Sequence, residues 1–470
     1  MRAFLTVAFL GVALAGCSSS DPDLNETGAT PDLPSVNEAL LPSMQIAKPI
    51  GWGDQVPTVP EGFTVNAMVT GLQIPRQMLV LPNGDILIAE GRGGGAPALK
   101  PKDVIAGFIK GQGNTQVESG NRITLLRDAD NDGEPELQTV FLANLNAPYG
   151  MALVDNTLYV ANQDALKAFP YEEGQTEITA PGVELTKLPS AINHHWTKSL
   201  AASADGTLLY VGIGSNSNVG ERGLDVEENR AVVWEINRET GASRTIATGI
   251  RNPTALAIEP TTGTLWAVVN ERDELGPQLV PDYLTSVQEG AFYGWPYSYW
   301  GQNLDPRVHP QDPELVSTAI APDYALGAHV AALGVSFARE GGFGGEFTEG
   351  VFVGQHGSWN RSDPSGYKVS WIDFANGKPV GEMVDFATGF LTSDGQARGR
   401  PVGVTFDPAR GRLLIADDLS NTIWRVALPT LAPATGESAP EPAPPVADPA
   451  PTEPPPVTSS GDTAPAADAQ

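Results

Sequence analysis

A short alternation of apolar and polar positions recurs six times along the chain. Each copy has a Pro or Gly turn, an apolar strand, a Gly-containing reversal, a second apolar strand and then polar residues. The copies are Pro75–Glu90, Pro148–Asn162, Trp196–Asn216, Pro253–Glu271, Leu333–His356 and Pro401–Asp418. This pattern is typical of β-hairpins, and its near-regular spacing indicates a radial or solenoid repeat. We therefore predict an all-β fold, a six-bladed β-propeller over residues 61–428, with each hairpin innermost in its blade.

The hairpins also predict which polar residues share a face. In an antiparallel hairpin the residues before the first strand and after the second lie at the same end, so six hairpins bring these positions to one face, which we call the rim. Four of the five histidines fall there. Hairpin ends are polar loops in most proteins, so a solvated rim without function is the alternative. The rim candidates are Glu90, His194, His195, Lys198, Arg251, Asn252, His329, His356, Trp359, Asn360, Arg361 and Arg400.

The two ends of the chain differ in composition from the repeats. Residues 1–17 combine a charged start, a short apolar stretch and small residues before Cys17, which predicts a signal peptide. Residues 18–60 are rich in Ser, Asp, Asn and Pro, which predicts a flexible tether. The segment 429–470 is rich in Pro, Ala and acidic residues and is predicted to be disordered.

Charge and cysteine content narrow the function. The formal net charge of −28 argues against nucleic acid as a partner, because phosphate binding needs a basic face. Cys17 is the only cysteine, so no disulfide forms within the chain. The fold must therefore be held by sheet closure and core packing.

Two segments carry oxygen ligands that suit Ca²⁺. Asp128, Asp130 and Asp132 alternate before a glycine, as at the start of an EF-type loop. The twelfth position is Thr139 and no helices flank the loop, so a structural Ca²⁺ hairpin and an Asp-rich turn without metal both stay open. The pair Gly276-Pro277, followed by Asp282, could turn backbone carbonyls toward a second ion.

Several of these motifs, in this order, resemble a known family. They are His195-Trp-Thr-Lys198, Arg251-Asn-Pro253, Gly276-Pro277, Tyr293-Gly-Trp-Pro296, His356-Gly-Ser-Trp-Asn-Arg361 and Ala416-Asp-Asp418 with Ile423-Trp-Arg425. Together they resemble the soluble pyrroloquinoline-quinone (PQQ) dehydrogenases, in particular the sorbosone and aldose dehydrogenase branch. The spacing before Cys17 likewise resembles the lipobox of bacterial lipoproteins, in which this cysteine is lipidated.

The resemblance implies PQQ at the mouth of the central channel, with Ca²⁺ on the quinone. Cations would bind the three carboxylates of PQQ. Other rim residues would contact the cofactor, and two sets of oxygen atoms would bind Ca²⁺. The implied carboxylate ligands are Lys198, Arg251, Arg361 and Arg400; the further contacts are Glu90, Asn252, Trp359 and Asn360; the Ca²⁺ ligands are Gly276 and Pro277 at the quinone and Asp282 and Tyr293 at a second ion.

The implied reaction is oxidation of a sugar or a sugar-derived aldehyde. His195 would take the proton while hydride passes to PQQ, and Arg251 would stabilise the growing negative charge. The neighbouring His194 stays open as the base. An external acceptor, a quinone or a cytochrome, would reoxidise the cofactor.

Two other functions stay open at this point: a non-catalytic, surface-tethered propeller that binds a ligand or protein, and a Ca²⁺-dependent lactonase. A lipidated Cys17 implies a membrane-bound protein of the bacterial cell envelope, expected at the outer membrane and facing the periplasm.

Overall fold

The six repeated phrases form six antiparallel hairpins, each of which starts a sheet of four or five strands. The computed structural model describes residues 20–38, 44–99 and 111–429. The first strand of each hairpin packs beside the first strands of the two neighbouring sheets, so the six sheets close into a ring. The predicted six-bladed β-propeller is confirmed.

The blades are numbered 1 to 6 in chain order. Blade 1 comprises Pro75–Val80, Ile86–Glu90, Arg122–Arg127 and Leu137–Leu142. Blade 2 comprises Gly150–Val154, Thr157–Ala161, Ala165–Pro170 and Val183–Lys187. Blade 3 comprises Lys198–Ala202, Leu208–Ile213, Val232–Asn237 and Ser243–Thr248, with Ala291–Phe292 added at its edge. Blade 4 comprises Pro253–Ile258, Leu265–Val269, Pro281–Ser286 and Tyr324–Ala328, with Thr27–Gly28 added at its edge. Blade 5 comprises Ala332–Phe337, Gly350–Gln355, Lys368–Ala375 and Lys378–Ala387. Blade 6 comprises Pro401–Asp407, Arg412–Asp417, Thr422–Ala427 and Thr64–Val69.

Short elements occupy the connections between these strands. The strands Ser298–Tyr299 and Asn303–Leu304 pair with each other within the blade 4 insertion. The same insertion contains the helix Pro313–Ser317, whose first turn is capped by the Asp312 side chain. Two 3₁₀ turns are Asp225–Glu227 and Pro408–Arg410.

Both ends of the propeller domain meet in blade 6. Thr64–Val69 pairs antiparallel with Thr422–Ala427, with Thr64 opposite Ala427. The ring is thus closed by backbone hydrogen bonds, as a chain with one cysteine requires.

The strand registers place the rim residues as predicted. Pro75 lies opposite Glu90, and Pro401 lies opposite Asp417. The first residue of each inner strand and the last of its partner therefore lie at the same end of the ring. Polar residues from six distant stretches of sequence are in this way brought to one face.

Aromatic side chains fill the space between blades 5 and 6. Phe343 and Phe386 stack with their ring centroids 5.9 Å apart, and Phe352 and Trp371 pack at 4.7 Å. Burying each such side chain contributes about 1.5–3 kcal/mol. The rim loops of blades 5 and 6 are therefore supported by a densely packed aromatic core.

The predicted flexible tether over 18–60 is wrong for the residues that the structure describes there. Thr27–Gly28 pairs with the outer strand of blade 4. Trp52 is buried, and its indole N–H donates to Asp417 Oδ2 at 3.0 Å. Composition suggested a tether because the segment is rich in Ser, Asp, Asn and Pro, but Trp52 and the strand Thr27–Gly28 find partners on the propeller.

The remaining terminal predictions fall outside the described residues. These include the signal peptide, Cys17 and residues 430–470 of the acidic tail. Among the described residues, no helix combines the length and the apolar character needed to cross a membrane.

Candidate active site

A cavity opens at the rim where blades 3, 4 and 5 meet. Its volume is about 190 Å³. Apart from Asp282, which lies in the third strand of blade 4, it collects residues that stand before an inner strand or after its partner, from stretches of chain up to 166 positions apart in the numbering. The lining residues are His194, His195, Arg251, Asn252, Asn270, Glu271, Asp273, Asp282, His329, Ala331, Trp359 and Asn360.

His195, the predicted base, is half-buried in this cavity wall. Its Nδ1 lies 3.0 Å from the carbonyl oxygen of Ser215 and 2.9 Å from Ser215 Oγ. The Ser215 hydroxyl already donates to the carbonyl of Ser217. Both Ser215 oxygens therefore accept, which places the hydrogen of the neutral ring on Nδ1 and leaves the lone pair on Nε2.

Burial and positive neighbours keep this imidazole neutral. Desolvation, followed by the charge of Arg251, holds the pKa of His195 well below its usual value. His194 also lines the cavity but is exposed, with its ring perpendicular to that of His195 at a centroid distance of 4.7 Å. The hydrogen bonds of His195 to Ser215 fix a tautomer that can act as a base.

Arg251 lies in the same wall and is held from several sides. Its Nε and Nη2 donate to the backbone carbonyl and Oδ1 of Asn218, at 3.1 and 2.9 Å. Its Nη1 donates to the carbonyls of Asn270 and Glu271, at 3.1 and 2.6 Å. These hydrogen-bond acceptors are uncharged and orient the guanidinium, and the carboxylate oxygen Oδ2 of Asp273 lies 3.7 Å from Nη2.

Three asparagines of the cavity wall have a buried side-chain oxygen without a hydrogen-bond partner among the described residues. They are Asn252, Asn270 and Asn360. An unpaired buried polar atom costs about 1–3 kcal/mol, which a polar ligand would recover. With the indole of Trp359 and the cation of Arg251 beside them, these residues fit a flat, polar, anionic cofactor.

Lys198 and Glu90, both predicted cofactor contacts, are fully buried and bond protein groups instead. Lys198 Nζ donates to Asn193 Oδ1 and to the carbonyl of Trp196, each at 3.0 Å. Burial lowers the pKa of Lys198 well below its usual value. Glu90 forms an ion pair with Arg122 at 2.8 Å. The described lining of the cavity includes neither residue.

Arg361 and Arg400 are also absent from the described lining. Arg361 Nη1 lies 2.7 Å from Glu26 Oε2, a carboxylate of the N-terminal segment. Arg400 donates to the carbonyls of His356 and Gly357, at 3.0 and 2.9 Å. Of the four cations predicted for the PQQ carboxylates, the cavity thus contains Arg251.

The residues predicted to bind the two Ca²⁺ ions, Gly276 and Pro277 at the quinone and Asp282 and Tyr293 at the second ion, border this cavity in part. The carbonyl of Gly276 accepts a hydrogen bond from His329 Nε2 at 3.0 Å, and Pro277 follows in the same loop. Asp282 lines the cavity, where burial raises its pKa to about 8. Tyr293 is buried elsewhere, and its hydroxyl donates to the carbonyl of Ser286.

The Asp-rich loop lies at the opposite end of blade 1 from the rim. Carboxylate oxygens of Asp128, Asp130 and Glu136 approach within 4.8 Å of one another, which could hold a cation. Asp132 is not part of that group, and Asp128 forms an ion pair with Arg412 at 2.6 Å. Glu136 was missed because the EF-type spacing places the acidic ligand later in the loop.

The structure adds a carboxylate to the site that the sequence did not indicate. Asp273 lines the cavity, and its Oδ1 accepts from Asn360 Nδ2 at 2.9 Å. His329, which was placed at the rim without a role, lies 3.7 Å from the same oxygen. The one available signal was the polar run after the second strand of blade 4, which continues through Asp273.

The sequence and the fold can be compared with known proteins. A sequence model described as TrAA12-like matches residues 57–301 and 301–428. A protein of Hypocrea jecorina named "Pyrroloquinoline quinone-dependent sugar dehydrogenase" is 23% identical over 419 residues, covering 78% of this chain and 88% of its own length. An uncharacterized protein of Borreliella burgdorferi is 29% identical over 298 residues, covering 60% of this chain and 76% of its own length.

Two solved structures share the fold. The holo form of the pyranose dehydrogenase PQQ domain from Coprinopsis cinerea superposes with a TM-score of 0.64 at 18% identity, covering 79% of this chain and 97% of that domain. The calcium structure of a Trichoderma reesei enzyme of Carbohydrate-Active Enzymes Family AA12 gives 0.63 at 20% identity, covering 82% and 99%. The resemblance to PQQ-dependent sugar dehydrogenases is confirmed, while the sorbosone and aldose branch stays a prediction. Because the family match spans most of the propeller, the chain belongs to the TrAA12-like family.

Proposed function

We propose that this protein is an oxidoreductase that oxidises an aldose sugar or a sugar-derived aldehyde, with PQQ as its cofactor and Ca²⁺ as its metal. The observation that carries the proposal is the pairing of His195 and Arg251 in one cavity wall. One group is a neutral base and the other a fixed cation, as removal of a proton and stabilisation of negative charge require. The named relative and the two structures support the choice of cofactor and substrate class.

The base in this proposal is Nε2 of His195. The bonds of Nδ1 to Ser215 hold the ring in the tautomer whose lone pair is on Nε2. A hydroxyl of the substrate, or of an aldehyde hydrate, would donate its proton there. Because the pKa of His195 is lowered, the ring is neutral at neutral pH and its Nε2 lone pair is available.

The cofactor would be held by the groups that need a partner. Asn252, Asn270 and Asn360 contribute their unpaired oxygens, Trp359 a flat surface, and Arg251 a charge for a carboxylate or a quinone oxygen. The carbonyls of Gly276 and Pro277, with Asp282, are the oxygen atoms that we assign to Ca²⁺. When bound, PQQ accepts the two electrons of the oxidation, and Ca²⁺ acts as a Lewis acid on it.

Two further predictions are carried into the proposal. An external quinone or cytochrome would reoxidise the cofactor. Lipidation of Cys17 would hold the protein at the bacterial outer membrane, facing the periplasm.

Reconstitution tests the function. The purified protein is mixed with PQQ and Ca²⁺, and dye reduction is followed with a panel of aldoses and aldehydes. We expect turnover with at least one substrate and loss of turnover after removal of Ca²⁺ by a chelator. No bound quinone and no turnover across the panel would reject the proposal. The matched variant Arg251→Lys keeps the charge but loses the bidentate geometry, and we expect it to bind PQQ more weakly.

A further inference from the structure

The loop of residues 275–280 contains the two carbonyls that we assign to Ca²⁺, those of Gly276 and Pro277. It lies at the rim, after the strand Leu265–Val269. The N-terminal segment, residues 20–38, packs against it, and the contact between Asp21 and Gln278 spans 257 positions of chain. The loop is therefore shaped by a part of the molecule that is remote from it in sequence.

Gln278 is the side chain through which the two segments bond. It is 7% exposed. Its Oε1 accepts from the backbone N–H of Asp21 at 2.6 Å. Its Nε2 donates to the carbonyl of Asp21 at 2.9 Å and to Glu26 Oε1 at 2.8 Å. Both ends of this amide are thus used by the N-terminal segment, which fixes the residue next to Pro277.

Two further contacts hold the loop to the N-terminal segment. The backbone N–H of Asn37 donates to the carbonyl of Leu275 at 2.9 Å. The half-buried Leu33 packs against fully buried side chains of the loop, Leu275, Leu279 and Val280. The contacts therefore lie on both sides of Gly276 and Pro277 in the sequence.

The N-terminal segment is itself fixed to blades 4 and 5. Thr27–Gly28 pairs with the outer strand of blade 4, and Glu26 forms an ion pair with Arg361 of blade 5 at 2.7 Å. His329, which directly follows that outer strand, donates from Nε2 to the carbonyl of Gly276 at 3.0 Å. The loop is therefore held by the propeller and by the N-terminal segment together.

We propose that Gln278 is a positioning residue, which together with the N-terminal segment holds the carbonyls of Gly276 and Pro277 ready for Ca²⁺. The inference rests on the proposed function, which assigns Ca²⁺ to these carbonyls. Ligands that are ordered before the ion binds lose little conformational freedom on binding. Groups that orient metal ligands from behind typically change the metal affinity by about 10–100-fold. The N-terminal segment is thus part of the metal site although it contributes no ligand.

The first test measures how much Ca²⁺ the protein needs to bind PQQ. PQQ is titrated by fluorescence at a series of Ca²⁺ concentrations. Gln278→Ala, changed on the loop, and Leu33→Ala, changed on the N-terminal segment, should each raise the half-maximal Ca²⁺ concentration about tenfold. Gln302→Ala is the matched control, since the exposed Gln302 donates to the carbonyl of Ser317 at 3.0 Å and bonds no residue of the loop. It should keep the wild-type value.

A charge exchange tests the bond between Gln278 and Glu26 directly. Gln278→Glu places two carboxylates against each other, and we expect it to raise the Ca²⁺ requirement at least as much as Gln278→Ala. In the double variant Glu26→Gln/Gln278→Glu the donor and the acceptor exchange places. This variant should recover part of the loss, which a general loss of stability would not do.

Hydrogen exchange separates this inference from the proposed function. Exchange of residues 275–280 is followed by mass spectrometry without PQQ or Ca²⁺, and we expect it to be about tenfold faster in Gln278→Ala and Leu33→Ala. If the wild type binds no PQQ at any Ca²⁺ concentration but the loop exchanges faster in the variants, the proposed function fails and the positioning role of Gln278 stands. An unchanged exchange rate, or an unchanged Ca²⁺ requirement where the wild type binds PQQ, would overturn that role in variants shown to be folded by thermal melting.

Discussion

Two regions of one rim contain the same three side-chain types and use them differently. In the cavity of blades 3 to 5, His195, Arg251 and Asp273 lie beside three asparagine oxygens that have no hydrogen-bond partner among the described residues. Across the rim, between blades 5, 6 and 1, His356 Nε2 bonds Asp418 Oδ1 at 2.8 Å and Arg76 Nη1 bonds Asp418 Oδ2 at 2.8 Å. The two regions share their residue types and their location at the rim, and they differ in their hydrogen bonds. We call the cavity of blades 3 to 5 the open site and the group of His356, Arg76 and Asp418 the closed network.

The two histidines carry their hydrogen on opposite nitrogens. His195 donates from Nδ1 to Ser215, which leaves Nε2 as a base. His356 bonds a carboxylate through Nε2, so that nitrogen donates. Asp418, held below its usual pKa by His356 and Arg76 despite burial, stays ionised and accepts both bonds. His195 can therefore take part in proton transfer, whereas His356 has a structural role.

Replacing the two histidines should give the largest contrast. We expect His195→Gln to lower kcat by about 10²–10⁴-fold, the usual contribution of a general base. PQQ should still bind, as measured by fluorescence titration. His356→Gln, made in parallel, should keep kcat within a few-fold of the wild type. Equal losses in the two variants would show that the closed network is part of the site. If His194→Gln loses activity and His195→Gln does not, His194 is the base.

Removing the shared carboxylate of the closed network should mainly affect stability. Asp418→Ala leaves Arg76 buried without its ion pair, and we expect the free energy of unfolding to fall by about 3–5 kcal/mol. Urea denaturation measures this change. The control is Glu289→Gln in the exposed pair with Arg244, where the loss should stay below about 1 kcal/mol. A change of similar size in both variants would show that the buried ion pair of Asp418 stabilises the fold no more than an exposed ion pair does.

Acid should weaken the closed network through His356. Burial, then the charge of Arg400, lowers the pKa of His356 to about 4, against 6.5 in the unfolded chain. Between these values the unfolded chain binds a proton that the folded chain does not, so stability falls as the pH falls. We expect His356 to account for about 3 kcal/mol of this loss. Urea midpoints of the wild type and His356→Gln from pH 7 to 4 measure it, and parallel slopes would contradict the assignment.

The sequence predicted well what depends on local pattern. The six hairpins and the rim follow from alternation and turn residues, and the positions of His195 and Arg251 at the rim follow from strand register. The hydrogen-bond and ion-pair partners of the Lys and Arg side chains do not follow from the local sequence pattern. Arg361 meets Glu26 across 335 positions of chain, and Lys198 points into the interior although its neighbours line the cavity. Both outcomes depend on how blades pack, which no local pattern carries.

The smallest effect is expected where the N-terminal segment meets the rim. Glu26 accepts from Arg361 at 2.7 Å and from Gln278 Nε2 at 2.8 Å, so it links this segment to the loop that contains Gly276. Arg361 keeps Asp363 as a second carboxylate at 2.9 Å. We therefore expect Glu26→Gln to lower the free energy of unfolding by about 1 kcal/mol, the value of one charged hydrogen bond in a partly exposed pair. Asp23→Asn, an exposed position in the same segment, should change nothing. If Glu26→Gln also weakens PQQ binding in the fluorescence titration, the N-terminal segment supports the open site as well as the fold.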